Sequence, residues 1–196
     1  MSPEVKSIIL IIITVFLFST QDAIAKNLII KYPAIQVVWA RYTSQTLVSI
    51  VILSPVIITV LRTQNIAIQL LRSTFLFTAT FCFFSSLKFL QLAQVNAIFQ
   101  VAPLFVTALS AFILKEVVGL RRWGGVFLGL IGAIIIIRPG GTSFSLTLML
   151  PMLAALSYAS YLITTKYLST DEAASTNFLY TSIIGVILAS ILVPTK

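Results

Sequence analysis

Residues 86–141 contain two long apolar runs, 93–114 and 123–137, separated by a short stretch that carries Lys115, Glu116, Arg121 and Arg122. A run of about 20 apolar residues matches the roughly 30 Å hydrocarbon layer of a bilayer, and charges that cannot cheaply enter that layer collect between the runs. The pattern predicts a membrane hairpin with a basic tip. Four glycines, Gly124, Gly125, Gly129 and Gly132, stand in the second arm. In water they would weaken a helix. In lipid the Gly125 and Gly129 spacing lets two backbones approach closely and predicts a helix-packing face.

The remaining sequence repeats this apolar theme. Further runs cover about 7–24, 34–60, 70–90, 146–165 and 175–193, with Gly and Pro at the joints, as in Arg138-Pro139-Gly140-Gly141. The chain is 59% hydrophobic and 9% charged, whereas a soluble domain needs about a quarter of its residues charged. An all-α, polytopic membrane protein with about seven spanning helices follows. The segment from Asp22 to Lys26 imitates a signal-peptidase site of the Ala-x-Ala type. Because many more apolar runs follow it, the first helix is expected to be retained.

Thirteen Lys and Arg against five Asp and Glu give a net charge of +8. These basic residues lie mostly in short joints between apolar runs, which is an orientation signal and not a nucleic-acid surface. With the amino terminus cytoplasmic, the inner side gathers Lys6, Arg62, Arg72, Lys115, Arg121, Arg122 and Lys166. The outer side gathers Lys26, Lys31, Arg138 and Lys196. No His and a single Cys, Cys82, exclude a His-containing catalytic dyad, a His- or Cys-rich zinc site and an intrachain disulfide. No metal, cofactor or enzymatic activity is expected.

Three stretches also carry a resemblance: LK-x-L-x-LA-x-x-x-A over 87–97, APLFVTALSAFIL-x-E over 102–116, and VGLRRWGGVFLGLIGAIIIIRPG over 118–140. Together they resemble the EamA-type domain of the drug/metabolite transporter superfamily. The resemblance implies ten helices in two five-helix copies, with a substrate cavity between them. A weak internal repeat agrees with it: 18–28 set against 158–168 aligns Lys26 with Lys166 and Leu28 with Leu168, and a small shift pairs Tyr42 with Tyr180 and Pro55 with Pro194. An odd number of helices separates the copies, so the second would be inverted in the membrane, a common plan for secondary transporters. On this reading residues 1–141 form one complete repeat and 142–196 the first two helices of another. The chain then reads as a member truncated at its carboxy terminus, or as a piece of a longer reading frame.

Charges inside a membrane are costly and default to a functional reading with a named partner. Asp22 and Arg41 fall at similar depth on the first two helices, and their pairing would either lock those helices or act as a gate; Lys26, one turn from Asp22, competes for it. Asn96, Gln100, Pro103 and Thr107 share one face of the fourth helix, which either glues helices or lines a wet cavity. Pro103 predicts a bend there. Tyr158 and Tyr161 lie too deep for an interfacial belt and are read as cavity residues. Phe81 is the aromatic of the third helix set aside for stacking on a planar substrate.

The resulting expectation is a secondary transporter of the inner membrane that moves a small polar organic metabolite by alternating access. Arg41, Phe81, Asn96, Gln100, Tyr158 and Tyr161 would bind it, and Asp22 with Arg41 would couple or gate. Similarity to relatives points to S-adenosylmethionine, riboflavin or an amino acid. The competing expectation is a truncated, non-transporting membrane subunit that is inactive alone or works as a homodimer through Gly125 and Gly129.

Overall fold

A computed structural model describes residues 3–63, 65–115, 119–137, 146–168 and 172–193. Glu116, Arg138, Gly140, Gly141, Pro194 and Lys196, all used in the sequence reading, lie outside the described residues, as do the side chains of Arg121 and Arg122. Helices run in the order α1 (Pro3–Lys31), α2 (Ala34–Leu53), a 3-10 turn (Ser54–Val56), α3 (Ile57–Val60), α4 (Ile66–Ser86), α5 (Leu92–Phe99), α6 (Ala102–Ile113), α7 (Leu120–Ile137), α8 (Met149–Leu168) and α9 (Ala174–Leu192). No strand occurs among the described residues. Taking α2 with α3 and α5 with α6 leaves seven helical segments. Five of them are long and apolar enough to cross a membrane: Glu4–Lys31, Ala34–Val60, Ile66–Ser86, Leu92–Ile113 and Ala174–Leu192. The chain is an all-α, polytopic membrane protein.

α4 is the centre of the bundle, packed against α8, α9 and α2, while α2 and α9 pack on each other. Small residues make these approaches possible. Ala154, Ala155 and Ala159 of α8 and Ala189 of α9 are all 0% exposed, as expected where close van der Waals packing holds helices together in lipid. Gly185 of α9 admits the ring of Tyr42 from α2. Hydrogen bonds then fix the register: Trp39 Nε1 donates to Ser190 Oγ at 2.9 Å, and Tyr42 Oη to Thr80 Oγ1 at 3.2 Å. Cys82 is buried in this core.

α1 stands apart. Every side chain from residue 4 to residue 20 is exposed, and the hydroxyls of Thr14 and Thr20 return to the carbonyls of Leu10 and Phe16, one turn back. In lipid such a surface needs no further partner. At its far end Lys26 Nζ donates to the carbonyls of Leu87 and Leu90, just beyond α4. These are carbonyls that a helix end leaves without an intrahelical donor.

Two helix boundaries differ from the sequence reading. The fourth apolar run is broken at Gln100 and Val101: Val101 N–H turns to the Ile98 carbonyl and Leu104 N–H to the Val101 carbonyl, both three residues back. Pro103, which lacks an N–H, sits in the first turn of α6. The expected bend is therefore a break, and the polar face from Asn96 to Thr107 is divided between two helices. α4 begins earlier than expected, because Asn65 caps it by accepting from Ile68 N at 3.3 Å.

The glycines of α7 also separate. A Cβ at Gly129 would come within 3.0 Å of Leu104 Cδ2 on α6, whereas Gly125 has nothing within 4 Å. Gly129 thus serves packing inside the chain, and Gly125 faces outward.

Candidate functional site

A cavity of about 1340 Å³ lies between α1, α2, α4, α5, α8 and α9. That exceeds the roughly 300–1,000 Å³ of ordinary small-molecule sites. Its position follows from the bundle: α1 touches the others sparsely, so the space beneath it stays open between the α2, α4 and α8 walls.

One wall is a continuous run of aromatic rings. Phe84 and Phe83 meet edge to face at 5.9 Å between centroids, Phe83 and Phe99 at 5.3 Å, Phe99 and Tyr158 at 5.3 Å, and Tyr158 and Tyr161 stack at 5.8 Å with 28° between planes. All five rings line the cavity. A guanidinium stands at each end of this run, Arg41 at 5.4 Å over Phe84 and Arg72 at 4.8 Å over Tyr161. Both distances fall inside the range of a cation–π contact. The cavity wall is thus a chain of touching rings, edge to face or tilted except for the stacked Tyr158 and Tyr161, with a fixed positive charge at either end.

Asp22 and Asn96 complete the polar lining on the Arg41 side. Arg41 rests on Phe84 and forms no ion pair with Asp22 among the described residues, although both face the same space. Lys26, the expected competitor for Asp22, is spent on the carbonyls of Leu87 and Leu90. Of the residues read from sequence, Asp22, Arg41, Asn96, Tyr158 and Tyr161 therefore share one cavity. Two others stand elsewhere. Phe81 stacks on Phe77 at 6.3 Å and 4°, in the ring cluster that reaches Tyr42. Gln100 caps the end of α5 with its side chain exposed.

Arg72 was counted in sequence as a charge of an inner joint; it is instead only 3% exposed, inside α4. Its Nε donates to Thr165 Oγ1 at 2.7 Å. Nη1 donates to the Asn177 carbonyl and to Thr181 Oγ1, each at 2.9 Å, and lies 3.5 Å from Gln69 Oε1. Nη2 donates to Tyr161 Oη at 3.1 Å. Gln69 Nε2 in turn reaches Asn177 Oδ1 at 2.6 Å and Glu172 Oε2 at 3.3 Å. A clue existed in the sequence: Gln69 and Arg72, three apart, share a face only if the helix starts before Leu70.

The apolar spans and the small-residue packing enclose an internal cavity with an aromatic wall and a few charged and amide side chains. Over residues 5–138 the chain matches the EamA-like transporter family. The chain belongs to that family. The match points to a transporter and not an enzyme. Among curated relatives, a riboflavin transporter of Vibrio cholerae is 40% identical over 84 residues, 43% of this chain and 28% of that protein. A riboflavin transporter of Brucella anthropi is 33% identical over 112 residues, 57% of this chain and 39% of that protein. An S-adenosylmethionine uptake transporter of Rickettsia bellii is 23% identical over 175 residues, 87% of this chain and 59% of that protein. The chain thus spans less than two-thirds of the length of these relatives. No solved structure matches it.

Proposed function

We propose that this chain moves a small polar metabolite with a flat ring across the inner membrane, by alternating access between two inverted repeats. The observation that carries the reading is the aromatic run from Phe84 to Tyr161, bracketed by Arg41 and Arg72 along one cavity wall. Stacked rings offer a planar solute apolar area and oriented π contact at little conformational cost. Asp22, Arg41 and Asn96 would hold its polar part and, with the rocking of one repeat against the other, couple or gate its passage. Relatives named for riboflavin and S-adenosylmethionine support this class, since both compounds combine a fused ring system with a polar tail; an amino acid is the third candidate.

The proposal puts the amino terminus in the cytoplasm on the balance of basic residues. Arg72 no longer counts toward that side, but Lys6, Arg62, Lys115, Arg121, Arg122 and Lys166 still outnumber Lys26, Lys31, Arg138 and Lys196 opposite. Single-cysteine labelling at Lys115 from one side of sealed vesicles tests the placement.

The function is tested with proteoliposomes containing the chain and radiolabelled riboflavin, S-adenosylmethionine and tryptophan. Uptake of one of them above empty liposomes, lost in Asp22→Asn with Arg41→Ala, is expected; no uptake of any overturns the reading. A second reading, a membrane subunit that works only as an oligomer, is favoured by the open face at Gly125. Cross-linking of Gly125→Cys in native membranes distinguishes it, a monomer band alone counting against it.

A further inference from the structure

The two positive ends of the cavity are not equivalent. Arg41 shares its end with the carboxylate of Asp22. Among the described residues Arg72 has no carboxylate among its hydrogen-bond partners, which are the hydroxyls of Tyr161, Thr165 and Thr181, the Gln69 side-chain amide and the Asn177 carbonyl. Glu172, the carboxylate of this network among the described residues, accepts from Thr63 and from Gln69, whose amide stands between it and Arg72. A guanidinium always carries its charge and has five N–H donors. Here Nε, both Nη1 hydrogens and one Nη2 hydrogen are engaged, which leaves one Nη2 N–H on a side chain that is 3% exposed and lines the cavity.

A buried charge without a counter-charge is expensive, and the surrounding dipoles orient this one without neutralising it. We infer that the α4–α8–α9 end of the cavity is a carboxylate subsite, in which Arg72 takes the acidic group of a zwitterionic substrate. The Tyr161 hydroxyl, already tied to Nη2, fixes the guanidinium over its own ring, and that ring stacks on Tyr158. The substrate's ring then lies along Tyr161, Tyr158 and Phe99, and its cationic group falls toward Asp22. This assignment rests on the transport reading above and narrows it: a substrate with a carboxylate is preferred over a neutral planar one.

The test is equilibrium binding to the full chain in lipid nanodiscs, with S-adenosylmethionine, its decarboxylated amine and riboflavin as probes. Wild type is expected to bind S-adenosylmethionine about ten- to a hundredfold more tightly than the amine, the scale of one hydrogen-bonded charge contact. Arg72→Gln removes that preference, and Arg72→Lys, which keeps the charge without the fork, reduces it. The comparison of the two ligands on wild type needs no variant and stands even where Arg72→Gln fails to fold. Equal affinity of wild type for both, or a preference that survives in folded Arg72→Gln, overturns the carboxylate subsite while leaving a transporter that binds riboflavin or the amine intact. Binding of none of the three overturns the transport reading and this subsite together.

Discussion

The ring of Tyr42 on α2 fills the space where a side chain at Gly185 of α9 would stand, so that a Cβ added there would overlap the ring. The contact joins two helices that lie far apart in sequence and brings Thr80, the hydrogen-bond partner of Tyr42, into the same joint. Gly185→Leu forces the ring out. We expect a loss of about 1–3 kcal/mol in stability, read as a lower unfolding temperature in detergent. An unchanged transition would show that α2 and α9 are not packed this way.

Lys26 ties the otherwise isolated α1 to the end of α4 through the carbonyls of Leu87 and Leu90. Lys26→Met keeps the length of the side chain and removes both bonds. Charged hydrogen bonds of this kind are worth about 1.5–3 kcal/mol, so the amides of residues 26–31 should exchange faster with deuterated solvent while those of α4 stay protected. Equal protection of residues 26–31 in both proteins contradicts the tie.

Lys115 closes α6 with φ of 52°, in the left-handed region that side chains other than glycine enter at a cost of about 1–2 kcal/mol. It is exposed and ends the helix where glycine is usual. Lys115→Gly is therefore expected to raise the unfolding temperature, by a change of about 1 kcal/mol. A lower temperature would mean that the lysine side chain contributes something its exposed position does not reveal.

Tyr161 carries both a stacking face and the hydroxyl that holds Arg72. Tyr161→Phe keeps the ring, and riboflavin binding should change little. Tyr161→Ala removes the ring, and affinity should fall about three- to tenfold, in keeping with an aromatic pair worth about 0.5–1.5 kcal/mol. Similar losses in the two variants would assign the effect to the hydroxyl and not to the ring.

The architecture was readable because long apolar runs in water have few alternatives to spanning a membrane, and polar residues inside such runs are conspicuous. Asp22, Arg41, Asn96, Tyr158 and Tyr161 stood out on that ground, and they line one cavity. Arg72 did not, because an arginine placed in the first turn of an apolar run looks like an interfacial charge. Only the Asn65 cap, which starts α4 four residues before Leu70, carries Arg72 into the bundle. Gln100 and Phe81 failed to join the cavity for a different reason. Periodicity assumes an unbroken helix, and α5 ends at Gln100; it also ranks faces without saying which neighbour each one meets, and Phe81 meets Phe77.

α8 carries both cavity tyrosines and Thr165. Its neighbours α4, α5 and α6 all precede it in the chain. Those helices are therefore made before α8 emerges, and the surfaces against which it packs precede it. A lesion in α4 that spoils this surface is expected to lower the amount of assembled protein in the membrane before it alters any property of the cavity.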